Sequence, residues 1–193
     1  MADIKECRMN INWVLADSIV LDPTIDIRQL KNIGSLWGSW RTWRSCQTDN
    51  VICNDLTKST ELIKREFQKT CNLYIPNSIY QQLNRPEGVR LYEGAFTHDV
   101  DHQEDIIAMH LASGSNDIVL LLGFDLTEKQ PNIDKSLEHR AGNYRELILQ
   151  AISGNSNVQW VLVDHPDPIM KKLVNLPNLS TDTMENVLTF SNS

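Results

Sequence analysis

Short runs of Val, Leu, Ile and aromatic residues alternate with helix-period stretches along most of this chain, and no other feature narrows its possible folds as much. Strands are expected at residues 12–16, 51–53, 72–75, 89–92, 117–123 and 159–163. The last two are almost continuous in aliphatic residues, as strands covered on both faces should be. Helical periodicity fills the gaps. In 57–69 it puts Leu62, Ile63 and Phe67 on one side. A short helix follows over 77–83, with Asn77 or Ser78 as its cap, and in 101–112 Ile106, Met109 and His110 turn to the core or its edge. Over 136–153, Leu137, Ala141, Tyr144, Ile148 and Ala151 follow a 4-3-4-3 spacing, with Gly154 placed for a C′ glycine. Two short helices, 168–174 and 181–188, are expected to close the chain. Strands separated by helices pair in parallel through right-handed crossovers. The expected fold is therefore α/β: a three-layer, Rossmann-like, doubly wound, mostly parallel six-stranded sheet. The preferred strand order is 3-2-1-4-5-6, and a flavodoxin-like order is the alternative.

Residues 22–50 fit this rhythm least. Trp37, Trp40 and Trp43 recur every three residues there. As a helix they form one drifting stripe packed on the sheet; as a ligand wall they offer planar faces, with Arg41 and Arg44 turned to an anion. Gly34-Ser35 and Gly38-Ser39 add backbone N–H groups that can cradle a phosphate.

Composition removes several classes. The chain has 193 residues, 41% hydrophobic and 22% charged, with no internal repeat and no linker, so one domain spanning 1–193 is expected. Eighteen Lys and Arg stand against 25 Asp and Glu, a net charge of -7, which argues against nucleic-acid binding through a broadly basic surface. The longest apolar stretch is 118–122, far below the roughly 20 residues of a membrane helix. Residues 1–10 carry Asp3, Lys5, Glu6 and Arg8 and no apolar run, so no signal peptide is expected. Cys7, Cys46, Cys53 and Cys71 show no CxxC spacing and read as free buried thiols of a cytoplasmic protein.

In an open parallel sheet, ligands bind outside the carboxyl ends of the strands, near the point where strand order reverses. That rule selects Asp17 and Ser18 after the first strand, Asn54 and Asp55 after the second, and 96–102 after the fourth. It also selects Gly123 and Asp125 after the fifth strand, and Asp164 and His165 after the sixth. His98, Asp99, Asp101, His102 and Asp105 are the densest polar cluster. His98 and His102 have the i, i+4 spacing of a helical metal pair. Asp101 with Glu104 instead fits a capping box, which starts the helix at His102 and takes His98 off its face. No metal site is assigned. His98 or Asp99 is the candidate base, and Asp17, Ser18, Arg41, Asp125, Asp164 and His165 are candidate ligand-binding residues. Asp125 after Gly123 suits a ribose hydroxyl or a cap, and Asp164 with His165 suits a base and its orienter or a rigid turn. His139, Arg140 and Arg145 are read as solvated helix positions.

The chain has no GxGxxG, no GxxxxGK[ST] and no GxSxG, which weighs against dinucleotide, P-loop and α/β-hydrolase readings. The segments WGSWRTWRSCQTDNVICND (37–55), LYIP (73–76), DIVLLLGFDL (117–126) and QWVLVDHP (159–166) resemble small uncharacterised proteins of marine bacteriophages, a group with no activity to transfer. LLGFDL (121–126) resembles the strand-to-loop step of Rossmann-like sialyltransferase-type and related phage glycan-modifying proteins. That likeness implies Gly123 and Asp125 at the mouth of a site. Two functional expectations result. One is a nucleotide- or nucleotide-sugar-binding transferase or hydrolase. The other is a non-catalytic interaction module that meets a host or phage protein through its acidic surface and the tryptophan segment. Neither names a cofactor.

Overall fold

In a computed structural model, the described residues are 10–16, 25–93, 104–114, 118–124, 138–164 and 176–190. Within the last two stretches, side chains are described from Tyr144 and up to Thr189. Among the described residues eight strands form one sheet: β1 (Ile11–Leu15), β2 (Ser35–Ser39), β3 (Asn50–Ile52), β4 (Asn72–Pro76), β5 (Arg90–Tyr92), β6 (Ile118–Leu122), β7 (Gln159–Val163) and β8 (Leu179–Asp182). The α-helices among the described residues are α1 (Ile27–Ile33), α2 (Trp40–Cys46), α3 (Leu56–Lys64), α4 (Asn77–Gln82), α5 (Glu104–Ser113), α6 (Glu138–Gly154) and α7 (Met184–Phe190). Every strand pair is parallel, and the order is β5-β4-β3-β2-β1-β6-β7-β8. The α/β class and the parallel sheet are thus as the rhythm predicts.

Strand number and order are not. Six strands in the order 3-2-1-4-5-6 were expected; the sheet has eight, and neither that order nor the flavodoxin-like alternative occurs. The strand at 90–92 lies on the outer edge beside β4, away from β1. Only thirteen residues separate Pro76 from Arg90, enough for a crossover to the adjacent strand but a poor bridge across three others. The two added strands come from segments read as helical. β2 takes the first of the three tryptophans, and β8 takes the start of the segment expected as the helix 181–188.

The tryptophan stripe breaks because Ser39 caps a helix. Its Oγ accepts from Arg41 N at 3.1 Å and Thr42 N at 3.2 Å, so the chain changes from strand to helix between Trp37 and Trp40. Trp37 then lies on the sheet face under α5, while Trp40 and Trp43 turn to the opposite face. Gly34 and Gly38, read as a phosphate cradle, sit at opposite ends of this strand and meet protein instead. A Cβ on Gly34 would lie 2.2 Å from the Ile11 carbonyl oxygen, and one on Gly38 would lie 3.0 Å from Thr42 Cγ2.

Helices cover the two faces unequally. Strand order runs outward from β1 to β5 and then from β6 to β8 in the other direction. Crossovers of one hand therefore place α1–α4 on one face and α5 and α6 on the other. On the first face, Trp13, Leu15, Leu30, Leu36 and Leu122 form a core with Met184 and Val187 of α7; Val51, Leu62, Leu73 and Ile79 form another. On the second, Val14, Val119, Leu121, Trp160 and Leu162 pack against Ile106, Met109, Ile148 and Ile152. α5 is buried on nearly every side, including Glu104 and Asp105 in its first turn; His110, expected on or beside the core, is exposed. Gly154 ends α6 without the left-handed turn of a C′ glycine. Among the described residues, no helix is long and apolar enough to cross a membrane.

Candidate functional site

Because all eight strands point one way, their carboxyl ends share one edge, and strand order reverses on that edge between β1 and β6. Such a reversal leaves a crevice, since the chain leaving one strand turns to one face and the chain leaving its neighbour turns to the other. Ala16 N donates to Leu122 O at 3.0 Å, which ties the two strand ends together at the mouth of the crevice. Beside them Gly123 is exposed with φ at 80°, a conformation that glycine adopts freely and that leaves the backbone open to close approach. Phe124, the next residue, is buried in the core that α5 and α6 share.

The adjoining strand ends build the rest of the rim. Thr42 Oγ1 donates to Ala16 O at 3.4 Å and lies 3.3 Å from Ser39 Oγ, so the first turn of α2 leans on the end of β1. After β3, Cys53 is buried, Asn54 is half-buried, and Asp55 caps α3 by accepting from Lys58 N at 2.6 Å. Asn54 N donates to Glu104 Oε1 at 2.8 Å, which pins the first turn of α5 over the end of β3. Asp105 Oδ1 accepts from Ile106 N at 3.0 Å, and its Oδ2 accepts from the Tyr144 hydroxyl, a bond that joins α5 to α6. Two carboxylates with 4% and 3% exposure thus stand at the carboxyl edge, each held by a donor from another element. Asp101, the partner of Glu104 in the expected capping box, lies outside the described residues, and the Glu104 carboxylate reaches across to the β3 loop.

Cys53 is no nucleophile in this setting. Burial, and then the negative charge of Glu104, push its thiol up to about 12, and Ser59 Oγ donates to its Sγ at 3.3 Å. A thiol so protonated is inert at neutral pH. Cys46 is also buried and Cys71 half-buried; all three are free, as expected of them. Among the described residues, no group of three or more His, Cys, Asp or Glu is placed to hold a metal ion.

Of the residues selected from sequence, Asp17, Ser18, His98, Asp99, Asp125 and His165 lie outside the described residues, as do Asp101 and His102. Arg41 and Asp164 are described: Asp164 stands on the edge the rule selected it for, and Arg41, read only as part of the tryptophan segment, stands there too. Arg41 is exposed in the first turn of α2, beside the end of β1. Asp164 follows β7 with φ at 54°, and its Oδ1 accepts from Met184 N at 2.8 Å, so it holds the start of α7. With β1 and β6 between β2 and β7, three strand spacings separate these ends, about 14 Å along the edge. Sequence reasoning undervalued Glu104 and Asp105 and missed Tyr144. The usable signal was two acids opening a helix that is otherwise apolar except for His110 and Ser113, because carboxylates on a buried helix need partners.

No protein family's sequence profile, no curated protein and no solved structure matches this chain. The edge itself therefore carries the functional argument.

Proposed function

We propose that this chain is a nucleotide- or nucleotide-sugar-binding α/β protein, acting as a transferase or hydrolase, with its ligand seated where the β1 and β6 ends part. The single reversal of strand order there supports this reading most, since it opens one crevice in an otherwise continuous edge. The open Gly123 backbone fits a ligand approaching closely at that point. In this reading His98 or Asp99 supplies the base, and Asp125 orients a sugar hydroxyl. Asp17, Ser18, Asp164 and His165 line the crevice, and Arg41 meets charge at its rim.

A thermal-shift panel of nucleotides, nucleotide-sugars and divalent cations tests it. A ligand at 100 times its Kd stabilises the fold by about 2.7 kcal/mol, which for a chain of this size raises Tm by roughly 5–10 °C. No shift at millimolar concentrations of any nucleotide overturns the reading. A host or phage protein that co-purifies stoichiometrically, with no nucleotide response, would favour the interaction-module alternative.

A further inference from the structure

Buried and half-buried asparagines tie this fold together through their side chains. Asn12 Nδ2 donates to Ala112 O at 2.9 Å, Asn72 Nδ2 to Asn50 Oδ1 at 2.9 Å, and Asn155 Nδ2 to Ala151 O at 2.7 Å. Asn178 Nδ2 meets the carbonyls of Ile152, Asn155 and Val158 at 3.0, 3.1 and 3.1 Å. Asn54 departs from this pattern. It is half-buried, yet among the described residues its carboxamide has no hydrogen-bond partner, and a partly desolvated amide is costly to leave unmet. Its backbone, by contrast, is fixed. Cys53 N donates to Tyr74 O at 3.0 Å just before it, its own N–H donates to Glu104 Oε1 at 2.8 Å, and Asp55 after it caps α3. The loop is thereby tied to α5 on one face of the sheet and runs into α3 on the other, so Asn54 stands on the carboxyl edge itself. β3 ends two strand spacings from β1, about 10 Å along that edge, within reach of one end of a nucleotide seated at the strand reversal.

We propose that Asn54 reads the base of the bound nucleotide, its carboxamide donating and accepting side by side against one base edge; this assignment rests on the nucleotide reading above. A carboxamide is planar and sets an acceptor oxygen beside a donor nitrogen, which matches the adjacent donor and acceptor that base edges present. A phosphate group offers acceptors alone and leaves the amide oxygen unmet. Because the backbone on both sides of Asn54 is already held, only side-chain rotation is lost when the amide engages.

Calorimetric titration of the full chain with the monophosphates of adenosine, guanosine, cytidine and uridine tests this assignment. Asn54→Ala should unfold at the wild-type denaturant midpoint, since the side chain holds no other part of the fold, and should bind the favoured nucleotide about tenfold more weakly. Asn54→Asp replaces the donor with a second acceptor. It should shift preference by about tenfold toward guanosine monophosphate, whose base sets two donors side by side. Analogues of the favoured nucleotide that lack one exocyclic base group at a time supply a readout that does not depend on the Asp variant folding. One of them should lose about tenfold on the wild type and nothing on Asn54→Ala. If Asn54→Ala binds every nucleotide as the wild type does, or if the analogues lose equally on both proteins, the base assignment is wrong and the nucleotide reading survives. A folded Asn54→Asp that keeps the wild-type order of preference overturns the assignment in the same way. If none of the four binds the wild type at millimolar concentration, the nucleotide reading falls and Asn54 falls with it.

Discussion

The inner strands β1, β6 and β7 and the outer strands β4 and β5 belong to one sheet but were built under different rules. Trp13, Val14, Leu15, Val119, Leu121, Trp160 and Leu162 are at most 1% exposed, because helices cover both faces of the inner strands. Farther out, α5 lies over β3, and on the same face the outer strands show half-buried Asn72 and Tyr74 and exposed Arg90. Asn72 Nδ2 donates to Asn50 Oδ1 at 2.9 Å, Trp37 tilts against Tyr74 with centroids 5.2 Å apart, and Arg90 Nη1 donates to the Tyr74 hydroxyl at 3.3 Å. Burial on two faces demands aliphatic residues throughout, whereas burial on one permits polar pairs on the other. β5 is also a three-residue edge with Arg90 and Glu93 exposed, short and charged enough to discourage pairing with another sheet.

Substitutions break this contrast with graded effects. Trp160→Ala, in a strand packed on both sides, should cost about 3–5 kcal/mol, read as a loss of chemical-denaturation midpoint with unchanged slope. Gly34→Ala should cost about 3 kcal/mol, since its Cβ would strike the backbone of Ile11 and the backbone has little room to yield; a loss below 1 kcal/mol would mean that β1 and β2 sit farther apart. Cys53 sharpens the comparison from the covered side of β3. Its thiol is pushed up to about 12 in the folded state, while the unfolded thiol ionises near 8.5. Stability from this group is therefore complete below about pH 8.5 and falls as pH rises toward 12, by roughly 1.4 kcal/mol for each unit in that window. Wild type should lose Tm between pH 9 and 10.5 more steeply than Cys53→Ala, and equal slopes would contradict the buried thiol. The smallest effect belongs to the outer wing, where Tyr74→Ala should cost about 1 kcal/mol in the same denaturation assay. A cost equal to that of Trp160→Ala would show the outer face to be as closely packed as the inner.

The same contrast explains what was legible. IVLLL and QWVLV announced themselves as strands because two covering layers leave them apolar throughout apart from the opening Gln159. SLWGS and LSTD did not, because each carries polar residues among few apolar ones and runs into a helix that shares its periodicity. Trp37, Trp40 and Trp43 read as one stripe, since nothing local distinguishes a capping Ser39 from any other serine until its Oγ meets two backbone N–H groups. Asn77 and Ser78 misled in the opposite sense: α4 begins at Asn77 with Pro76 before it and no side-chain cap. At the candidate site, position on the carboxyl edge was readable for Asp164 but not for Arg41, which was read only as part of the tryptophan segment, and partnership was not readable. The Glu104 bond to Asn54 spans 50 residues of sequence and the Asp105 bond to Tyr144 spans 39.

Local pattern by itself determined that this chain makes helices and parallel strands in alternation, because hydrophobic period is a property of neighbours a few residues apart. Tertiary structure alone decided the strand order, the reversal between β1 and β6, and the pairing of buried carboxylates with their donors. Those depend on which distant segments share a face, and crossover length and handedness act on whole elements that a short window of residues does not contain.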